Sequence, residues 1–155
     1  MEIERKWLID AFPTDLPLIE ACEVEQGYIA TAPAVRIRAC RGGSRSPYRL
    51  CFKGEGTLVR EEIETDLDAD TYHKLKAFIG KPLITKDFRV YRLPGGEALE
   101  VSLVDKGLPT QFMYAEVEFD SEQAAHAFAP PACLGAEKTE EAGFSMRSYW
   151  LQTRG

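Results

Sequence analysis

Within Ala34-Val35-Arg36-Ile37-Arg38-Ala39-Cys40-Arg41, the segment Val35 to Ala39 alternates apolar and cationic residues without a break. Side chains on a strand point to opposite faces in turn, so Arg36 and Arg38 share one face and Val35, Ile37 and Ala39 the other. A helix would scatter these residues around its circumference; a strand sorts them. Working outward, Tyr48-Arg49-Leu50-Cys51-Phe52-Lys53 repeats the pattern, with Arg49, Cys51 and Lys53 opposite Leu50 and Phe52. Between the two lies Gly42-Gly43-Ser44-Arg45-Ser46-Pro47, a turn signal. Further turn signals at Gly54-Glu55-Gly56 and Pro94-Gly95-Gly96 separate other alternating runs. The runs cover 2–9, 24–31, 34–41, 48–54, 57–66, 83–93, 97–105 and 112–120. Short loops between them predict a largely antiparallel sheet of eight strands.

Helices are expected at three places. Asp68 can cap a helix through Ile79, with Tyr72, Leu75 and Ile79 on one stripe and Gly80 as the stop. Ser121 can cap a shorter one ended by Pro130-Pro131, and residues 144–153 read as a C-terminal helix with an aromatic patch. A further helix is expected around Asp15–Cys22. The class is therefore α+β, in one domain spanning 1–155.

Composition bounds the function. The chain has 155 residues, 45% hydrophobic and 28% charged, which suits a globular protein with a substantial core. No apolar run reaches membrane-spanning length and no signal peptide is evident, so the expected location is the cytoplasm, away from membranes. Nineteen Lys and Arg against 25 Asp and Glu leave a net charge of −6, which argues against nucleic acid as a partner. Cys22, Cys40, Cys51 and Cys133 form no CxxC pair, and only His73 and His126 could join them, so a zinc site has few ligands to draw on. The cysteines read as reduced, packed thiols.

The charges are sorted by strand. Glu2, Glu4 and Lys6 share a face; so do Arg60, Glu62 and Glu64, and likewise Glu116 and Glu118. Glu100 and Ser102 alternate with Leu99, Val101 and Leu103. A solvated face of an antiparallel sheet also carries charge. Like charges two residues apart repel, however, and their recurrence asks for a bound counter-charge. Carboxylates on several strands suit a hard divalent cation, and Arg and Lys on neighbouring strands suit phosphate oxygens. If the sheet curls into a barrel, both sets converge on a metal–polyphosphate complex.

The ordered set of motifs resembles one family. Glu2-Ile3-Glu4-Arg5-Lys6 matches the ExExK signature of the CYTH family, the triphosphate tunnel metalloenzymes. Gln26-Gly27-Tyr28, Arg36-Ile37-Arg38, Lys53-Gly54-Glu55-Gly56, Arg60-Glu61-Glu62-Ile63-Glu64, Lys86, Leu99-Glu100-Val101 and Ala115-Glu116-Val117-Glu118 follow in order. The resemblance implies a closed eight-stranded antiparallel β-barrel with flanking helices, a tunnel lined with charge. It implies a Mg²⁺- or Mn²⁺-dependent enzyme acting on a small-molecule triphosphate. Glu2, Glu4, Glu62, Glu64, Glu100, Glu116 and Glu118 would then be the metal-side carboxylates. Lys6, Arg36, Arg38, Lys53, Arg60 and Lys86 would hold the phosphates. Lys6, Tyr28 and Lys86 would be the catalytic candidates, with Tyr28 equally readable as an aromatic of the tunnel wall.

Three positions depart from the family pattern. Phe88 stands where relatives carry a basic residue, with Arg89 one place late; a bulge would return Arg89 to the inner face as a phosphate ligand. Ser102 replaces a carboxylate, and Gly143 replaces a basic residue before Phe144. Hydrolysis of inorganic triphosphate or another compact triphosphate is the leading reading. Cyclisation of ATP, as in class IV adenylyl cyclases, and polyphosphate binding without turnover are the alternatives.

Overall fold

A computed structural model describes residues 1–43 and 47–155; the centre of the expected Gly42–Pro47 turn, residues 44–46, lies outside them. Nine strands and three helices are formed among the described residues. In chain order they are β1 (Glu2–Leu8), β2 (Leu18–Thr31), β3 (Ala34–Arg41), β4 (Tyr48–Lys53), β5 (Val59–Arg60), β6 (Glu62–Asp66), α1 (Ala69–Ile79), β7 (Ile84–Arg92), β8 (Ala98–Val104), β9 (Phe112–Glu118), α2 (Glu122–Ala127) and α3 (Met146–Arg154). All the strand pairs are antiparallel, in the order β5-β1-β9-β8-β7-β2-β3-β4-β6.

The ninth strand is the expected 57–66 run divided in two. Val59 and Arg60 pair with β1, whereas Glu62 to Asp66 pair with β4. Between them the carbonyl of Glu61 accepts from the amide of Gly54. The chain thus changes partner at Glu61, and the two short strands bring the sheet's edges together. The result is a nearly closed barrel rather than an open sheet.

The expected helix around Asp15–Cys22 is not formed. Leu18 to Cys22 extend β2 instead, paired with Val90, Tyr91 and their neighbours on β7. Local composition alone favours neither state strongly there, and the long β7 partner decides it. Gln26-Gly27 lies within β2. A Cβ at Gly27 would run into the side chains of Leu83 and Trp150, so the glycine lets α3 approach the strand.

The first two expected helices start as read, and the C-terminal one starts at Met146, two residues later than expected. The Asp68 carboxylate accepts from the amide of Thr71, and Gly80 ends α1 in the left-handed conformation at φ 67°. Ser121 and Ser145 cap α2 and α3 in the same way, although α2 stops at Ala127, before the prolines. On the outer face of β2, the Tyr72 hydroxyl and the Lys76 ammonium of α1 both donate to Glu25 at 2.8 and 3.0 Å. Trp7, Leu99, Val101, Ala115 and Val117 form a second outer cluster, over which Phe128 packs. Asp105 anchors α3, accepting from the Tyr149 hydroxyl and the Arg154 guanidinium, each at 2.6 Å. Among the described residues, no helix is long and apolar enough to cross a membrane.

Candidate functional site

Residues directly opposite one another in an antiparallel pair share a face, so register alone assigns the lumen. Tyr28 opposes Arg36, and Gln26 opposes Arg38. Arg36 opposes Cys51, which in turn opposes Glu64, while Lys53 opposes Glu62. On the other wall Glu100 opposes Glu116, Lys6 opposes Glu116, and Glu4 opposes Glu118. The lumen holds a cavity of about 980 Å³. Glu2, Glu4, Glu62, Glu64, Glu100, Glu116 and Glu118 all line it. So do Lys6, Tyr28, Arg36, Arg38, Lys53, Arg60 and Lys86.

The carboxylates fall into two banks. Glu2, Glu4, Glu100, Glu116 and Glu118 lie on the three adjacent strands β1, β8 and β9; Glu62 and Glu64 lie on β6. Lys53 and Arg60 stitch the seam between the banks. Lys53 Nζ is 3.2 Å from both Glu2 Oε1 and Glu62 Oε2, and Arg60 reaches Glu2 at 3.4 Å and Glu4 at 3.3 Å. Arg49 pairs with Glu64 at 2.6 Å. Oxygen atoms of Glu62 and Glu64 converge with the Cys51 thiol, all within 4.8 Å of one another. The donor set as a whole is dominated by carboxylate oxygen, which suits a hard divalent ion.

Crowding and burial move the ionisations apart. Burial pushes Glu4 up to about 8, helped by the charges of Glu116 and Glu2. Glu116 is deeply buried as well, yet Lys6, Lys86 and Lys53 outweigh that cost and hold it down at about 2. One proton on this pair is therefore favoured near neutrality, the usual outcome for two carboxylates sharing a site. Burial is also the main force on Lys86, and Arg38 and Arg36 add to it, so its ammonium is driven well below the ordinary lysine range. The strand explains why. The inner face of β7 reads Ile84, Lys86, Phe88 and Val90, one cation between apolar neighbours. Lys86 Nζ donates to the Tyr114 hydroxyl at 2.7 Å. Burial, with Glu116 and Glu4 nearby, keeps that phenol protonated.

Arg89 is the one candidate that the structure takes off the lumen. Through Phe88 and Arg89, β7 stays in register with both β2 and β8, so no bulge turns the side chain inward. Arg89 instead makes a two-pronged pair with Asp87 on the outer face, at 3.1 and 2.9 Å, and its guanidinium lies 3.8 Å from the centre of the Phe12 ring. Phe88 takes the inward position and is 3% exposed. It packs with Cys22, Val24, Cys40 and Val90 inside one end of the barrel, and the Arg38 guanidinium sits 5.3 Å from its ring centre.

Sequence reasoning missed four contributors. Tyr114 lies two residues before Glu116 on the same face, a signal present in the sequence. Arg49 shares its face with Lys53 in the same way. Thr139 accepts from the Lys6 amide and lines the cavity. Phe144 to Ser148, at the start of α3, line it too. For these last two no periodicity connects the segment to the barrel.

No protein-family model matches the chain. An inorganic triphosphatase from Nitrosomonas europaea is 33% identical over 151 residues, 97% of this chain and 97% of the relative. The crystal structure of the inorganic triphosphatase NE1496 superposes with a TM-score of 0.66 at 31% identity, covering 100% of this chain and 97% of that one. HpAC1 from Hippeastrum, an adenylyl cyclase candidate with a dominant triphosphatase activity, shares the fold at a TM-score of 0.58 and 17% identity, over 81% of this chain and 83% of its own. The full-length relative and the charged lumen agree, and the chain belongs to the CYTH family of triphosphate tunnel metalloenzymes.

Proposed function

We propose that the chain hydrolyses inorganic triphosphate or another compact triphosphate inside the barrel, with Mg²⁺ or Mn²⁺ as the metal. The observation that carries this reading is the enclosure of two carboxylate banks and six basic side chains in one lumen. A solvated face would leave those charges spread in water; here Glu4, Lys6, Arg36 and Lys86 are all buried. Phosphoryl transfer asks a protein mainly for positioning and charge stabilisation, which such a lumen supplies.

Glu2, Glu4, Glu62, Glu64, Glu100, Glu116 and Glu118 would hold the divalent ion, whose chemistry is to supply positive charge against the phosphate oxygens. Arg36, Arg38, Lys53, Arg60 and Lys6 bind the remaining oxygens, the guanidiniums as two-pronged donors. Arg36 stays charged despite burial, because the groups around it favour its cation. Lys86 is the proton acceptor. Held toward the neutral amine, its Nζ takes a proton from the attacking water as that oxygen bonds to the terminal phosphorus and the bridging P–O bond breaks. Tyr28 is assigned to the wall, where its ring packs 5.8 Å from Trp150.

The experiment is a substrate panel. Purified protein is incubated with Mg²⁺ or Mn²⁺ and with triphosphate, thiamine triphosphate or ATP. Orthophosphate and pyrophosphate from triphosphate are the expected products. Cyclic AMP from ATP, or saturable binding with no turnover, would replace this reading with one of the alternatives.

A further inference from the structure

The mouth of the cavity is bridged by a charge that the barrel does not need. Arg147 is the second residue of α3 and lines the cavity together with the Gly54-Glu55-Gly56 turn. Its Nη1 donates to the Thr31 carbonyl at the end of β2, at 3.2 Å, and to Glu55 Oε1 at 3.0 Å. A second tie, from Thr57 Oγ1 to Glu140 Oε2 at 2.6 Å, joins the same turn to the segment before α3.

The placement is a poor one for the helix. A helix N-terminus carries partial positive charge, so a cation in the first turn is disfavoured there, and α3 has no acidic residue in that turn to offset it. Nor is the ion pair a strong one. The Glu55 side chain is 81% exposed, and exposed pairs contribute little. A guanidinium beside a helix N-terminus, held by a solvated carboxylate and facing a phosphate-binding cavity, is placed for a better anion. Gly143, on the same segment, offers no side chain for that purpose and sits at φ 86°.

We propose that Arg147 is a further substrate-binding residue. When triphosphate enters, the guanidinium exchanges the Glu55 carboxylate for an oxygen of the outermost phosphate and keeps the Thr31 carbonyl. Glu55 orients Arg147 while the site is empty and competes with the substrate for it. The inference deepens the triphosphate reading and rests on it.

Two opposite effects test it. Arg147→Gln should raise KM for triphosphate about tenfold or more, as expected for a lost charge-assisted contact, with a smaller change in kcat. Arg147→Lys should recover part of the loss. Glu55→Gln, which removes the competitor and leaves the cation, should lower KM two- to threefold. Triphosphate affinity measured by calorimetry without metal should follow the same order, so the inference is read even if wild-type turnover is absent. An unchanged affinity in Arg147→Gln would overturn it. So would a Glu55→Gln variant that weakens binding as much as Arg147→Gln, because the pair would then be a structural strap. If Arg147→Gln does not fold, the Glu55→Gln affinity alone decides, tighter binding upholding the exchange and weaker binding refuting it.

Discussion

Phe88 on β7 and Ser102 on β8 stand directly opposite each other inside the barrel, at 3% and 1% exposure. Two departures from the family pattern are therefore one packing event. The large ring fills volume that the small serine and the thiols of Cys22 and Cys40 leave open. In place of a missing phosphate ligand, this end of the lumen has an apolar plug, with Arg38 stacked on it.

Restoring charge there should consequently fail. Phe88→Ala is expected to cost about 3–5 kcal/mol, the usual range for emptying a buried aromatic site. Phe88→Arg, alone or with Ser102→Asp, should lose stability to a similar extent and show no gain in kcat/KM. Urea melts and steady-state kinetics on the same preparations check both. A stable Phe88→Arg variant with faster turnover would mark the position as a vacated ligand site.

How much of this was legible beforehand depends on which physics set each element. Alternation placed twelve charged candidates on the face that lines the cavity, because strand period fixes facing wherever pairing is regular; Lys86 came from the family resemblance. Alternation also puts Arg89 outside; the bulge expected to override it is not formed, and β7 runs straight between two paired neighbours. The stretch Leu18–Cys22 was misread as helix because its strand state comes from pairing with β7, a distant segment. The division at Glu61 and the mouth formed by Arg147 and Glu55 likewise depend on closure of the barrel. No local pattern encodes them.

Lys86 presents a trade between stability and function. Its ammonium is disfavoured in the fold, chiefly by burial, so folding pulls its proton affinity below the unfolded value near 10.5. The penalty shrinks as pH rises toward 10.5, where the unfolded chain also loses the proton. Lys86→Met should thus melt higher than wild type at pH 7, with the gain shrinking by pH 10. The same variant should lose at least a hundredfold in kcat/KM, in keeping with removal of a proton acceptor. Calorimetric melts at the two pH values, with turnover at pH 7, make the comparison.

Asp105 is expected to behave in the opposite sense. Burial raises its affinity for a proton, but Arg154, Tyr149 and the Thr85 amide together hold the carboxyl below its ordinary 3.8. A depressed acid stabilises the fold above the unfolded value and loses that contribution as pH falls through the folded one. Asp105→Asn leaves Arg154 buried without its counter-charge, which should cost about 3–5 kcal/mol at pH 7. The difference from wild type should narrow below pH 4. Urea melts at pH 7, 5 and 3 read it directly, and a difference independent of pH would deny the carboxylate its role.

The central claim is that the carboxylates of the lumen are there to hold a cation against triphosphate, and that the barrel does not rely on their charge. Glu4 tests it most directly, being the buried member pushed up to about 8 by burial and its acidic neighbours. The measurement is the metal-free melting temperature of Glu4→Gln at neutral pH, paired with its triphosphate turnover across a Mg²⁺ or Mn²⁺ titration. The account predicts a melting temperature equal to wild type or higher, with turnover abolished at low millimolar metal. A large metal-free loss of stability with turnover retained would contradict it, and would make Glu4 a structural partner of Lys6 and Arg60.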